Sequence, residues 1–161
     1  MKKKLLIGLS ILLVAIIIGI IVCMNLMKLD TITCKNSIKE DNYTINNTYT
    51  IYYKKKDVKK VRIEKEIISK NNTILSFFAK NYEEEYDKYN KEYGGYTIKT
   101  KDGKSKKTVM IEWTVNKAKL EKLQEKRSYL KENINKNHID IDGIYKMFQL
   151  SKNICNEKVS K

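Results

Sequence analysis

The chain has 161 residues, and 33 lysines and arginines against 19 acidic residues give it a formal charge of +14 at pH 7. One histidine and three cysteines argue against a multi-site zinc scaffold or a histidine-dependent triad, which need several convergent ligands or a paired base. The positive charge favours polyanions, but nucleic acid is set aside, because Arg62 and Arg127 are the only arginines and lysine lacks the bidentate fork used on bases and phosphates.

Leu5 to Met27 carries no formal charge and follows Lys2, Lys3 and Lys4. As a helix at about 1.5 Å per residue it reaches roughly 35 Å, enough to cross a hydrocarbon core of about 30 Å. Residues 1–29 therefore read as cytoplasmic lysines and a transmembrane signal anchor, and residues 30–161 as one extracytoplasmic domain. The three lysines hold the N-terminus inside by the positive-inside preference, which puts the domain outside a single-pass cell membrane protein. A cleaved signal peptide competes with this reading, but its apolar region runs about 7–15 residues and Leu5 to Val22 is already longer. In a lipoprotein Cys23 would be the lipidated residue, yet Ile20, Ile21 and Val22 supply no small residue before it. A pilin-like subunit would share the apolar helix, but the Phe and Glu of its cleavage site are missing.

Beyond the anchor, Ile32 and Cys34 alternate with polar neighbours and predict a strand over Asp30–Lys35. Ser37–Asn42 predicts a turn. Tyr43–Tyr53 alternates, with Ile45, Tyr49, Ile51 and Tyr53 on one face and Thr44, Asn46, Thr48 and Thr50 on the other. After a turn at Lys54–Asp57, Val61, Ile63 and Ile67 mark a third strand. Thr73 is the expected cap of a helix ending near Tyr93, stopped by Gly94 and Gly95. Leu75, Phe78, Tyr82, Tyr86, Tyr89 and Tyr93 give that helix one apolar stripe. A hairpin of Tyr96–Lys101 and Lys107–Val115 turns around Asp102-Gly103, with Val109, Ile111, Trp113 and Val115 on one side. Asn116 then caps a helix aligning Leu120, Leu123, Leu130 and Ile134, and a last helix starts near Asp142 with Ile144, Tyr145 and Phe148. This order predicts an α+β fold: an antiparallel sheet of about five strands with helices packed on one face, preceded by the transmembrane helix.

Cys34 and Cys155 flank the domain, and two such cysteines in an oxidising compartment commonly pair. A bridge closing so long a loop is worth up to ~4–5 kcal/mol on the chain-entropy model. The rival, a two-cysteine zinc site, needs two more ligands where His138 is the only histidine. Thr31-Ile32-Thr33-Cys34-Lys35, the hairpin Tyr49-Thr50-Ile51-Tyr52-Tyr53-Lys54 and Val58-Lys59-Lys60-Val61 form one set of landmarks. The Tyr/Glu-rich helix Tyr82–Tyr93, Gly94-Gly95, the Thr108–Val115 strand and Cys155 complete it. In this order and character the region from about residue 30 to 156 resembles the YehR-like family of small bacterial lipoproteins and membrane-anchored proteins of unknown function. The resemblance implies a pair formed by the first and last of these cysteines. It implies no activity, so it carries over no catalytic residue. The missing lipid-attachment motif is a departure from the family pattern.

No phosphate-cradling glycine loop, HExxH, CxxC or GxSxG pattern occurs. Asp140-Ile141-Asp142-Gly143 resembles the start of a calcium loop, but Ser151 stands where the closing Glu belongs; Asp142 reads instead as a helix cap. Glu83, Glu84, Glu85 and Asp87 could supply a carboxylate pair for glycoside hydrolysis, yet Glu83, Glu84 and Asp87 lie beside Lys80, Lys88 and Lys91 as an ordinary solvated helix face. Tyr82, Tyr86 and Tyr89 read as core against the sheet, whereas Tyr52, opposite in parity to Tyr49 and Tyr53, is the candidate exposed aromatic. The expectation is a non-catalytic surface protein without metal or cofactor. Its partners would be the membrane and an anionic wall polymer, lipid head groups or another surface protein. The alternative is an extracytoplasmic enzyme acting on cell-wall glycan.

Overall fold

The computed structural model describes residues 28–126, 134–135 and 138–156. Lys2, Lys3, Lys4, Cys23 and the apolar stretch lie outside the described residues. Among the described residues no helix is long and apolar enough to cross a membrane.

Three long strands open the domain: β1 (Asp30–Glu40), β2 (Tyr43–Lys54) and β3 (Asp57–Ile68). Helix α1 (Asn72–Tyr93) precedes β4 (Tyr96–Gly103) and β5 (Lys106–Thr114). A 3-10 turn, Lys117–Lys119, leads into α2 (Leu120–Lys126) and the small pair β6 (Ile134–Asn135) and β7 (His138–Ile139). Helix α3 (Ile141–Leu150) and β8 (Ile154–Cys155) complete the described chain. The main sheet has six strands in the order β4-β5-β3-β2-β1-β8, and its pairs are antiparallel.

The register carries the sequence alternation across the sheet. Ile32 faces Ile51, Ile51 faces Val61, and Val61 faces Trp113; one step along, Tyr49 faces Ile63 and Ile63 faces Ile111. Side chains two apart share a face, so these positions form one apolar surface and the helices collect on it. α1 seals one half, where Leu75 and Ala79 pack with Ile45, Ile67, Val109 and Ile111. α2, the β6–β7 pair and α3 seal the other, where Leu120, Ile139, Ile141 and Ile144 pack with Ile32, Ile51 and Val58. Each such side chain contributes about 1.5–3 kcal/mol when fully buried. The outer face is polar and cross-linked by charge: Glu112 pairs with Lys60 at 2.7 Å and Arg62 at 3.0 Å, and Glu66 with Lys106 at 2.7 Å.

Several expected boundaries move. β1 continues to Glu40 and the turn is only Asp41-Asn42, because backbone pairing with β2 proceeds through polar residues as readily as apolar ones. Asp102 and Gly103 stay within β4, and the turn falls on Lys104-Ser105, Ser105 taking a φ of 56°. Asn71, not Thr73, caps α1, its side chain accepting from the Thr73 N–H at 2.8 Å. Asp140, not Asp142, caps α3, accepting from the Asp142 N–H at 2.8 Å; the cap must precede Ile141, which is fully buried. Ile134 leaves the expected helix to pair with Ile139, and Leu130 lies outside the described residues. Gly94 and Gly95 do end α1, with φ of 68° and 82°. A Cβ on Gly95 would collide with the Thr114 carbonyl, so this turn requires glycine.

The sixth strand is an addition to the expected sheet. β8 pairs with β1 through Cys34 opposite Cys155 and Lys35 opposite Ile154, and Cys34 and Cys155 form a disulfide. The Asn156 N–H donates to the Thr33 carbonyl at 3.0 Å, and the Thr33 N–H to Asn156 Oδ1 at 2.6 Å. So short a strand gains little from its ladder, and the covalent link keeps it in register. Reducing the folded chain should lower its urea midpoint by the equivalent of ~2–4 kcal/mol. An unchanged midpoint with two titratable thiols would contradict this role.

Candidate functional site

Two features of the helix-bearing face stand out, a polar row and an apolar hollow. Asn36, Asn47 and Lys65 are direct neighbours in β1, β2 and β3, on the face that carries the apolar core. Asn47, only 4 % exposed, donates to Asn36 Oδ1 at 2.7 Å and accepts from Lys65 Nζ at 3.2 Å. Asn36 in turn donates to Asn153 Oδ1 at 2.8 Å, which ties the row to the segment after α3. Lys65 Nζ lies 4.3 Å from the centre of the Tyr82 ring. Burial pushes the Lys65 amine below its ordinary value, opposed by the charge of Glu85. Burial raises the Tyr49 phenol, opposed by its hydrogen bond with Asn36.

Beside this row, between α1 and α3, lies a hollow of about 280 Å³. Its floor includes Ile51, Val61 and Ile63, α3 contributes Met147 and Phe148, and the opposite wall is aromatic: Tyr86, Tyr89, Tyr93, Tyr96 and Trp113. The helical spacing of Tyr86, Tyr89 and Tyr93 brings them to one side of α1, and strand pairing sets Tyr96 opposite Trp113. Tyr96 stacks on Trp113 with ring centres 5.7 Å apart, and Tyr86 meets Tyr89 edge-to-face at 5.6 Å. The Trp113 indole N–H is buried without an acceptor among the described residues. Glu85, exposed at the rim, accepts from the Tyr89 hydroxyl at 2.8 Å. Burial first, and the Glu85 charge second, push the phenols of Tyr86 and Tyr82 upward.

The residues singled out from sequence are distributed unevenly about this site. The structure joins Cys34 to Cys155 at the β1 edge. Tyr52 stands on the outer face, as its parity requires, but is half-buried, with Lys60 Nζ 5.3 Å and Arg62 6.0 Å from its ring centre. Of the helix carboxylates, Glu83 accepts from Thr100, Glu84 pairs with Lys80 and Asp87 with Lys91. Glu85 is the one that reaches the hollow. His138 sits in β7 opposite Asn135. The hollow and the Asn36-Asn47-Lys65 row escaped the sequence reading. Their available signal was a polar residue at the same face position of neighbouring strands, interrupting each apolar alternation.

No protein-family model matches the sequence, and no curated protein does. The solved structures it is similar to include an NMR structure of the E. coli YehR protein. That likeness has 19% identity and a TM-score of 0.53, over 83% of this chain and 94% of that one. An NMR structure of a protein from Streptococcus pneumoniae TIGR4 is similar at 15% identity and a TM-score of 0.48, over 80% of this chain and 86% of that one. The likeness to YehR shows a shared fold.

Two outcomes follow from the polar row and the phenols. Replacing Asn47 with Ala strands half-buried partners on both sides, and the urea midpoint should fall by about 1–3 kcal/mol; an unchanged midpoint would show that the row is not held together. Raised phenol values stabilise the fold fully below the ordinary value of 10.0, and that contribution is lost as pH climbs from there through the raised values. The lowered Lys65 acts oppositely over the range just under 10.5, but one amine faces three phenols. Stability should therefore drop above pH 10.0, with the phenolate absorbance of these tyrosines appearing only as the chain unfolds. Full phenolate absorbance from a chain still folded would contradict it.

Proposed function

We propose that this chain is a non-catalytic member of the YehR-like family, held in the cell membrane by residues 1–29 with its folded domain outside. There it serves as a binding or accessory module whose ligand enters the hollow between α1 and α3. The observation that carries this reading is the hollow itself: among the described residues, an aromatic and aliphatic lining with a single carboxylate, Glu85. Small-molecule sites are concave, mainly apolar and marked by a few polar groups, and this lining has that character. A glycan hydrolase needs two carboxylates flanking the bond that breaks, and the helix carboxylates neighbouring Glu85 are engaged elsewhere. The disulfide supports an oxidising location, and the uncharged stretch after Lys2–Lys4 supports the anchor.

Trp113 is the sole tryptophan of the chain and lines the hollow, so its emission reports on that site alone. The full chain, reconstituted in lipid vesicles, should show a saturable emission change with at least one member of a panel of small aromatic or alkyl solutes. Protease added to intact cells should also remove the C-terminal domain. A flat emission response across the panel would contradict the binding role, and a protected domain would contradict the location.

A further inference from the structure

We infer that the hollow selects an organic cation, a quaternary or alkylated ammonium group, in preference to neutral or anionic ligands of the same shape. The inference deepens the binding role proposed above and rests on it.

Its first support is the distribution of charge. Among the described residues no lysine or arginine lines the hollow, and the charged side chain that does is the carboxylate of Glu85. The long-range positive field of the protein is screened beyond about 8–10 Å at physiological salt, so the lining sets the local preference.

The second support is the aromatic wall. Tyr86, Tyr89, Tyr96 and Trp113 are linked by ring-centre separations between 5.6 and 6.4 Å. Their planes are inclined at 89° for Tyr86 and Tyr89 and at 46° for each of these with Tyr96. Rings set this way offer π faces in more than one direction, and a cation within about 6 Å of such faces is attracted by their quadrupoles. A desolvated site strengthens the attraction, and an alkylated ammonium loses less hydration on entering it than a compact one.

The third support is internal. Lys65 already places its ammonium 4.3 Å from the ring centre of Tyr82, one turn before Tyr86 on the same stripe of α1. Its attraction to Glu85 shows the same carboxylate acting on a nearby cation. The size is also suitable. About 280 Å³ lies near the lower end of the ~300–1,000 Å³ of small-molecule sites and well above the ~150 Å³ that holds benzene. It suits a headgroup-sized molecule.

The test titrates the full chain, in vesicles of phosphatidylethanolamine and phosphatidylglycerol, with choline and with its uncharged carbon isostere dimethylbutanol, following Trp113 emission. Choline should bind about tenfold more tightly than the isostere, tetramethylammonium should compete and potassium should not. Glu85→Gln should reduce the choline preference severalfold while leaving the isostere unaffected. Tyr86→Leu, which keeps an apolar wall but removes a π face, should also reduce it. Equal affinity for the two probes would overturn the charge selectivity and leave the binding role intact. Saturable binding of other panel solutes without either probe would do the same. No response to any solute would overturn both.

Discussion

The constraint on which the rest of this structure depends is an alternation that stays in phase from strand to strand. β1, β2, β3 and β5 each place their apolar residues on one side, and the pairing register keeps those sides together. A slip of one residue in any of them would turn its apolar set to solvent. Phase is held even where the ladder is irregular: at the register shift beside Tyr52 and Tyr53, β3 takes up the extra residue, and Val58 and Val61 both remain on the inner side. Because one face alone is apolar, every helix must cover it. The other is left to threonines, lysines and glutamates that satisfy one another.

Two helices of different length cannot tile such a surface evenly. α1 spans 22 residues and α3 spans 10, and they cover opposite halves of the sheet. Rings bridge from helix to strand on both sides: Tyr43 to Phe78 at 4.7 Å, and Tyr49 to Phe148 at 4.8 Å. The hollow is the space left between α1 and α3 over Ile51, Val61 and Ile63, with Phe148 at its α3 side and the tyrosines of α1 at the other. The polar row next to it has a different consequence. Asn36, Asn47 and Lys65 satisfy one another only in the observed register, so a shifted strand would bury them unpaired at considerable cost. They restrict the sheet to one pairing more strongly than they stabilise it.

Much of the fold was legible because its signals are local and repeated. Ile45, Tyr49, Ile51 and Tyr53 define β2 by parity, and Leu75 to Tyr93 define α1 by helical spacing. Cys34 and Cys155, expected to pair, do so. What could not be read depended on partners distant in the chain. β8 is too short for any periodicity and exists through its neighbour, β1. The cap falls on Asn71 and not on the expected Thr73, just after β3 ends, where Ser69 donates to the Asn42 carbonyl at 2.7 Å. Tyr86 and Tyr89 were legible as inward-facing, but whether inward meant a filled core or the wall of a cavity depended on how far α3 reaches across the sheet. Tyr52 was placed on the correct face, yet its cover by Lys60 and Arg62 comes from the neighbouring strand and has no local signature.

The central claim is that α1 and α3 dock on the same sheet face and leave an open, aromatic-walled space between them. An NMR measurement of nuclear Overhauser effects among the aromatic rings tests it most directly. The account predicts strong effects between Tyr49 and Phe148 and between Tyr86 and Tyr96, with none from Tyr52 to either helix. Strong effects joining Phe148 to Tyr86 would mean that the two helices close over the sheet without a hollow, and would contradict it.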